Sequence, residues 1–200
     1  MDHPFFSVIM PAHNSADYIR HGLDSIKIQS FKDYELIVVA DACTDNTADI
    51  AREYGATVLE VNYETEGPSR NAALDIATGE WILFIDDDDW FLHEYVFQQL
   101  AEAAGRHGED ILLFSFIWKG RGYTSQTNAR RYIAVWNKCW RRSFIGQTRF
   151  PSIKYWNDVQ FDQDNFNKAP RCYCWDMPMY YYNYMRPGSI SWKQKEGLIE

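Results

Sequence analysis

With 200 residues, a hydrophobic fraction of 46% and an aromatic fraction of 16%, the chain suffices for one compact α/β domain with a real core, and disorder is excluded. No apolar run approaches the ~18 residues needed to cross a bilayer, and the opening Met-Asp-His-Pro-Phe-Phe-Ser lacks the pattern of a secretory leader, so the expected compartment is the cytoplasm. A net charge of −8 argues against broad nucleic-acid binding, which needs a basic face for counterion release.

Short apolar runs alternate with helical patterns through the first half, predicting βα units around a mainly parallel sheet. Phe5–Met10 reads as a first strand stopped by Pro11. Ser15 is placed to cap a helix with Ile19, Leu23 and Ile26 on its apolar face. Glu35–Ala40 is a buried strand, Asp45 caps a helix reaching about Tyr54, and Thr57–Val61 is a third strand. After a polar loop, Asn62 to Gly67, Pro68 opens a helix through Ala77 that Gly79 ends. Trp81–Ile85 is an apolar strand that runs into Asp86-Asp87-Asp88-Asp89, followed by a helix from His93 to about Ala104 and a strand Ile111–Trp118.

The second half is less periodic. Residues 119–131 read as a polar loop, Trp136–Arg142 as a short helix, Asp158 to about Lys168 as another, and the run at Tyr180–Tyr184 as a late strand. From Lys119 to Arg149 the chain has eight basic residues (Lys119, Arg121, Arg130, Arg131, Lys138, Arg141, Arg142, Arg149) and no acid; they form either a solvated surface or a face for a phosphate on donor, acceptor or lipid. Cys43, Cys139, Cys172 and Cys174 lack the spacing of a structural zinc site and read as reduced thiols.

The aspartate run carries the strongest chemical signal. Two unit charges ~5 Å apart repel by about 3 kcal/mol at an effective dielectric of 20, and a hard divalent cation that prefers oxygen ligands offsets this. Too few carboxylates face one point for a closed cage, so diphosphate oxygens would complete the shell and their charge would be neutralised. Ligands of open α/β sheets bind outside the C-terminal strand ends. Three such ends carry polar groups here: Pro11-Ala12-His13-Asn14, Asp41, and Asp86–Asp89. Asp41 can accept the imide hydrogen of a uracil.

The segments FSVIMPAHNSADYI, ELIVVADACTDNT, GPSRNAALDIATGEWILFIDDDD and AVWNKCWRRSFI resemble, in order, those of the family-2 glycosyltransferases of the GT-A fold. The likeness runs from Phe5 to about Trp192. It implies a single GT-A domain over residues 1–200, an α/β, Rossmann-like unit with a mainly parallel central sheet flanked by helices. Residues 1 to about 115 would bind donor and metal, and about 116–200 would shape the acceptor side.

It also implies roles. Pro11 and His13 lie beside the base, His13 standing where a Tyr is usual; Asp41 contacts the base; and Arg70 lies beside the nucleotide. Asp86 and Asp87 meet the ribose, and Asp88 holds Mn²⁺ or Mg²⁺. Asp158, following Asn157 where the family has Glu, is the candidate general base, with Asp162 one turn on as the reserve. Arg186, in the Tyr184–Ser191 segment, approaches the diphosphate. Ala40, Ala42 and Cys43 depart from the family's Asp, Gly and Ser. Trp156, Trp175 and Trp192 are candidates to stack on sugar rings, although tryptophan usually packs.

The reaction so implied is inverting transfer from a UDP-sugar to an acceptor hydroxyl. The acceptor would be a carbohydrate or lipid-linked glycan, which would bring the chain to the inner face of a membrane as a peripheral protein. Two alternatives stand: a non-catalytic nucleotide-sugar-binding module, and a nucleotidyltransferase. The second is disfavoured because Pro11-Ala12-His13-Asn14 replaces a Gly-rich phosphate loop.

Overall fold

The computed structural model describes residues 3–104, 106, 108–118, 122–124, 132–184, 186, 187 and 189–198. Its elements are β1 (Phe6–Ala12), α1 (Ile19–Lys27), β2 (Tyr34–Asp41), α2 (Thr47–Glu53), β3 (Thr57–Val61), α3 (Glu66–Ile76), β4 (Trp81–Phe84), β5 (Trp90–Phe91) and α4 (Val96–Ala103). There follow β6 (Ile111–Trp118), β7 (Gly122–Thr124), β8 (Lys138–Arg141), α5 (Arg142–Ile145), α6 (Asn157–Phe166), β9 (Cys172–Tyr182) and α7 (Ile190–Lys195).

Among the described residues nine strands form one sheet in the order β3-β2-β1-β4-β8-β6-β9-β5, with β7 on β6. The first four are mutually parallel, so the chain leaves β1, β2 and β4 at the same edge of the sheet. Strand alternation feeds two cores. Val8, Met10 and Val38 point to the face that α1, α2 and α4 cover with Leu23, Ile50 and Phe97. Ile9, Ile37 and Val39 point to the opposite face, covered by Leu74 of α3 and Phe161 of α6. The sequence pattern anticipated this doubly wound half closely, and Ile19, Leu23 and Ile26 are all buried as expected.

Several expectations are corrected. Pro11 does not stop β1; it pairs with Val39. β4 pairs with β1 only as far as Ile9, so Pro11 sits where β1 has a neighbour on one side, a position that tolerates a missing N–H. Trp136–Arg142 is not a helix. Its core is β8, antiparallel to β4 and β6, with Trp140 opposite Ile82 and Cys139 opposite Leu112. The slot between two strands supplies backbone partners on both edges, and non-local pairing overrides local preference. β9 begins eight residues before the expected Tyr180, and β5 and α7 carried no readable periodicity. Of the loop expected over 119–131, Gly122–Thr124 form β7; the rest lies outside the described residues.

The basic run is not a phosphate face where it is described. Arg141 pairs with Glu80 and donates to the Glu109 carbonyl, Arg142 donates to Gly79, and Arg149 pairs with Asp75. Lys138 is fully buried; its Nζ lies 2.9 Å from Asp162 and 2.8 Å from the Tyr132 carbonyl. Lys119, Arg121, Arg130 and Arg131 lie outside the described residues. All four cysteines are free.

Breaking a buried pair from one side costs about 3–5 kcal/mol because the other charge is stranded. Lys138→Met is therefore expected to lose that much in urea unfolding, and Lys138→Met with Asp162→Leu to recover most of it.

Candidate functional site

The C-terminal edge of the parallel strands opens into a cleft of about 880 Å³, within the range of small-molecule sites. Pro11, His13, Asp41, Arg70, Asp86, Asp87, Asp88, Asp158 and Arg186, the residues to which the resemblance gives donor, metal and base roles, line it. They come from six separate stretches of chain, so the sheet edge brings them together.

The aspartate run divides by direction. Asp89 is fully buried and does not line the cleft. It accepts a hydrogen bond from the Tyr180 hydroxyl at 2.7 Å and one from the Asn183 backbone N–H at 2.7 Å. The same Tyr180 oxygen accepts from the Asp86 N–H at 3.1 Å. Asp89 therefore ties β9 to the β4 loop, and only three of the four carboxylates face the cleft. Nor does it cap a helix, since β5 follows it. Gly22 of α1 crosses this loop so closely that a Cβ would lie 2.8 Å from the Asp89 carbonyl oxygen.

Asp87 accepts a short hydrogen bond from Ser15 Oγ and one from the His13 N–H at 3.2 Å. Ser15, expected as a helix cap, spends its hydroxyl on this carboxylate instead, and α1 begins four residues later. His13 Nδ1 lies 2.7 Å from the Asp41 carbonyl oxygen, fixing the imidazole. Asp88 accepts from Arg186 Nε, whose guanidinium lies 4.2 Å from the centre of the Tyr18 ring.

Burial raises the pKa of Asp86 to about 7, against the pull of Arg70. Asp87 rises to about 6, from burial and then the charge of Asp88. Asp86 keeps 29% of its side-chain surface, so water in the open cleft moderates its shift. The loop is short of positive charge.

Asp41 lines the cleft, but its carboxylate is already engaged. It accepts from the N–H groups of Tyr63 at 2.7 Å, Glu64 at 3.0 Å and Thr65 at 3.2 Å, and from Ser69 Oγ at 2.7 Å. A carboxylate offers about four lone-pair sites, so a base imide would have to share one. Its visible work is to pin the 63–65 turn that walls one end of the cleft.

Arg70 is 3% exposed and joins the halves of the domain. Nη2 donates to Asp86 at 2.9 Å, while Nη1 donates to Glu66 at 2.8 Å and to Asn157 Oδ1 at 3.1 Å. Gly67 permits the approach: a Cβ there would lie 2.5 Å from the Pro151 carbonyl oxygen. Asn157 begins α6 and places Asp158 in its first turn. Burial raises the Asp158 pKa, with Arg70 opposing. Asp162, the reserve base, faces away from the cleft and is paired with Lys138. Of the three candidate tryptophans, only Trp156 lines the cleft; Met185 and Gly188, beside Arg186, lie outside the described residues.

Sequence reasoning missed Ser15, Ser69, Tyr180 and Asn157 as supports of the site. Each acts across at least 28 positions of chain, and no local pattern signals such partners.

The carboxylate loop, faced by an acid at a helix start, lies where open α/β sheets bind their ligands, outside the C-terminal ends of the parallel strands. Residues 7–167 match the description "Glycosyl transferase family 2", and the chain belongs to that family, with the GT-A fold.

Staphylococcus aureus TarS in complex with UDP-GlcNAc superposes with a TM-score of 0.83 at 28% identity, over 92% of this chain and 59% of that one. Pyrobaculum calidifontis mannosyltransferase PcManGT, in complex with GDP-Man and Mn²⁺, shares the fold at 20% identity and a TM-score of 0.77, over 97% of this chain and 61% of that one. A PGL/p-HBAD biosynthesis glycosyltransferase of Mycobacterium bovis is 28% identical over 98% of this chain and 79% of its own length. This chain spans 32% of Streptococcus pneumoniae glycosyltransferase GlyA, to which it is 27% identical over 94% of its own length. It spans 55% of the Bacillus subtilis glycosyltransferase EpsH and 20% of TarS.

Tyr180→Phe removes one of the two hydrogen bonds to the buried Asp89 carboxylate and the acceptor of the Asp86 N–H. It is expected to cost about 1–3 kcal/mol in urea unfolding, although residue 180 does not line the cleft.

Proposed function

We propose that the protein transfers a sugar, with inversion, from a UDP-sugar to an acceptor hydroxyl in surface-glycan or glycoconjugate biosynthesis. The observation that carries this reading is that Asp86, Asp87 and Asp88 open onto the same cleft as Asp158. Family membership and the likeness to TarS add support.

The loop chemistry fits a divalent cation, Mn²⁺ or Mg²⁺. Its oxygen donors suit a hard ion, and its carboxylates are held above their ordinary pKa by burial and mutual repulsion. Among the described residues no three acidic, histidine or cysteine groups converge as a ready-made cage; in this reading Asp88 is the protein ligand and diphosphate oxygens complete the shell. When bound, the ion would neutralise charge on the departing diphosphate.

The chain's own residues do the rest. His13, Pro11 and the turn pinned by Asp41 hold the base, while Asp86 and Asp87 take the ribose hydroxyls. Arg186, once released from Asp88, meets the diphosphate. Asp158 accepts the proton of the acceptor hydroxyl as its oxygen bonds to the anomeric carbon. The bond from that carbon to the diphosphate oxygen breaks on the opposite face, and UDP departs. Among the described residues no helix is long and apolar enough to cross a membrane; a lipid-linked acceptor would be met at the membrane surface.

Calorimetric titration of UDP is expected to give binding that requires Mn²⁺ and that Asp88→Ala abolishes. Metal-independent binding, or binding that survives the substitution, would remove Asp88 from the site. Asp158→Asn is expected to keep UDP affinity and lose transfer by about 10²–10⁴-fold. Retained UDP binding with no turnover in the unaltered protein, across UDP-sugars and acceptors, would favour the non-catalytic module.

The pH profile follows from the direction of the Asp158 shift. A base works ionised, and burial raises its pKa. The acid limb of kcat/KM is therefore expected above the ~4 of an ordinary aspartate. A limb at or below that value would point to another base.

A further inference from the structure

Folding does not account for the placement of Trp156. Its backbone sits at φ 63°, ψ 20°, immediately before α6, a left-handed conformation that bulky residues rarely adopt. The residue is 63% exposed, whereas Trp81 and Trp140 are fully buried and Trp136 is 4% exposed. The chain thus bears backbone strain at this residue and gains little burial in return. Glycine or asparagine would satisfy the turn at lower cost. Strain that the fold does not require points to function.

Its surroundings say which function. Lys154, Tyr155, Trp156, Asn157 and Asp158 line the cleft as one continuous segment. Asn157 is buried and fastened to Arg70, so the start of α6 is a rigid mount. A broad apolar ring face is thereby held on the same wall as the Asp158 carboxylate. Sugar rings present C–H groups on one face and hydroxyls around the rim, so they suit an aromatic face beside a proton acceptor.

Resting on the glycosyl-transfer reading of the cleft, we propose that the Trp156 indole is the acceptor platform. A sugar ring stacks on it and turns one hydroxyl to Asp158. The acceptor terminus is therefore a ring with an open C–H face, rather than an extended chain without one.

The test uses ¹⁵N-labelled protein saturated with UDP and Mn²⁺, titrated with methyl β-D-glucopyranoside, methyl β-D-galactopyranoside and methyl N-acetyl-β-D-glucosaminide. Trp156→Phe assigns the indole N–H signal. At least one glycoside is expected to shift that signal while those of Trp81 and Trp140 stay in place. Trp156→Gly is expected to weaken its affinity about tenfold (~1.4 kcal/mol) and Trp156→Tyr to restore most of it. The melting temperature of Trp156→Gly is expected to equal or exceed that of the unaltered protein, because the strain is relieved.

An indole signal unmoved by all three sugars, with UDP binding intact, overturns the platform alone. A lowered melting temperature for Trp156→Gly overturns it too, by assigning the ring to packing. Absence of UDP binding overturns the reading of the cleft and the platform with it.

Discussion

Four consecutive carboxylates at the end of a buried strand are the constraint around which the rest of the molecule is arranged. Left alike they would repel one another in a poorly solvated place. The fold sorts them by environment. Asp89 turns inward, where Tyr180 and Asn183 satisfy it, and becomes a tie between β9 and the β4 loop. Asp87 is steadied by Ser15 and His13, Asp86 by Arg70, and Asp88 by Arg186. Adjacent residues of one type thereby acquire different work, one tying two elements together and three facing the cleft.

Arg70 extends that arrangement to the other side of the cleft. Its guanidinium is buried between Asp86, Glu66 and Asn157. A cation so placed joins the loop that would hold the donor to the helix that carries Asp158. Two elements separated by more than 70 residues are set relative to each other by one side chain. Arg70 also lines the cleft, where the resemblance implies an arginine beside the nucleotide. Asp41 tells a similar story: a carboxylate at a strand end shapes the site through the turn it pins.

The first half was legible because its physics is local. Val8–Met10, Leu36–Val39 and Trp81–Phe84 are short continuous apolar runs, and α1 and α4 each bury an apolar face. The second half was not, for the opposite reason. β8 is a strand because β4 and β6 leave a slot for one, and nothing within Trp136–Arg142 reveals that slot. Lys138 read as part of a basic surface because a sequence shows its charge and not Asp162, 24 positions on, beside which it is buried.

The sequence by itself determined the order of βα units, the strand ends that bear polar groups and the aspartate run. Chain-local periodicity and charge spacing suffice for these, whereas the candidate base came only from the family resemblance. Only the tertiary structure decided which aspartate turns inward, that Asp162 is sequestered from the cleft, that Ser15 and Tyr180 support the carboxylates, and that Trp156 stands exposed in a strained turn. Those outcomes depend on which distant groups meet. That is settled by packing and by the satisfaction of buried polar atoms, neither of which is written in any single stretch of chain.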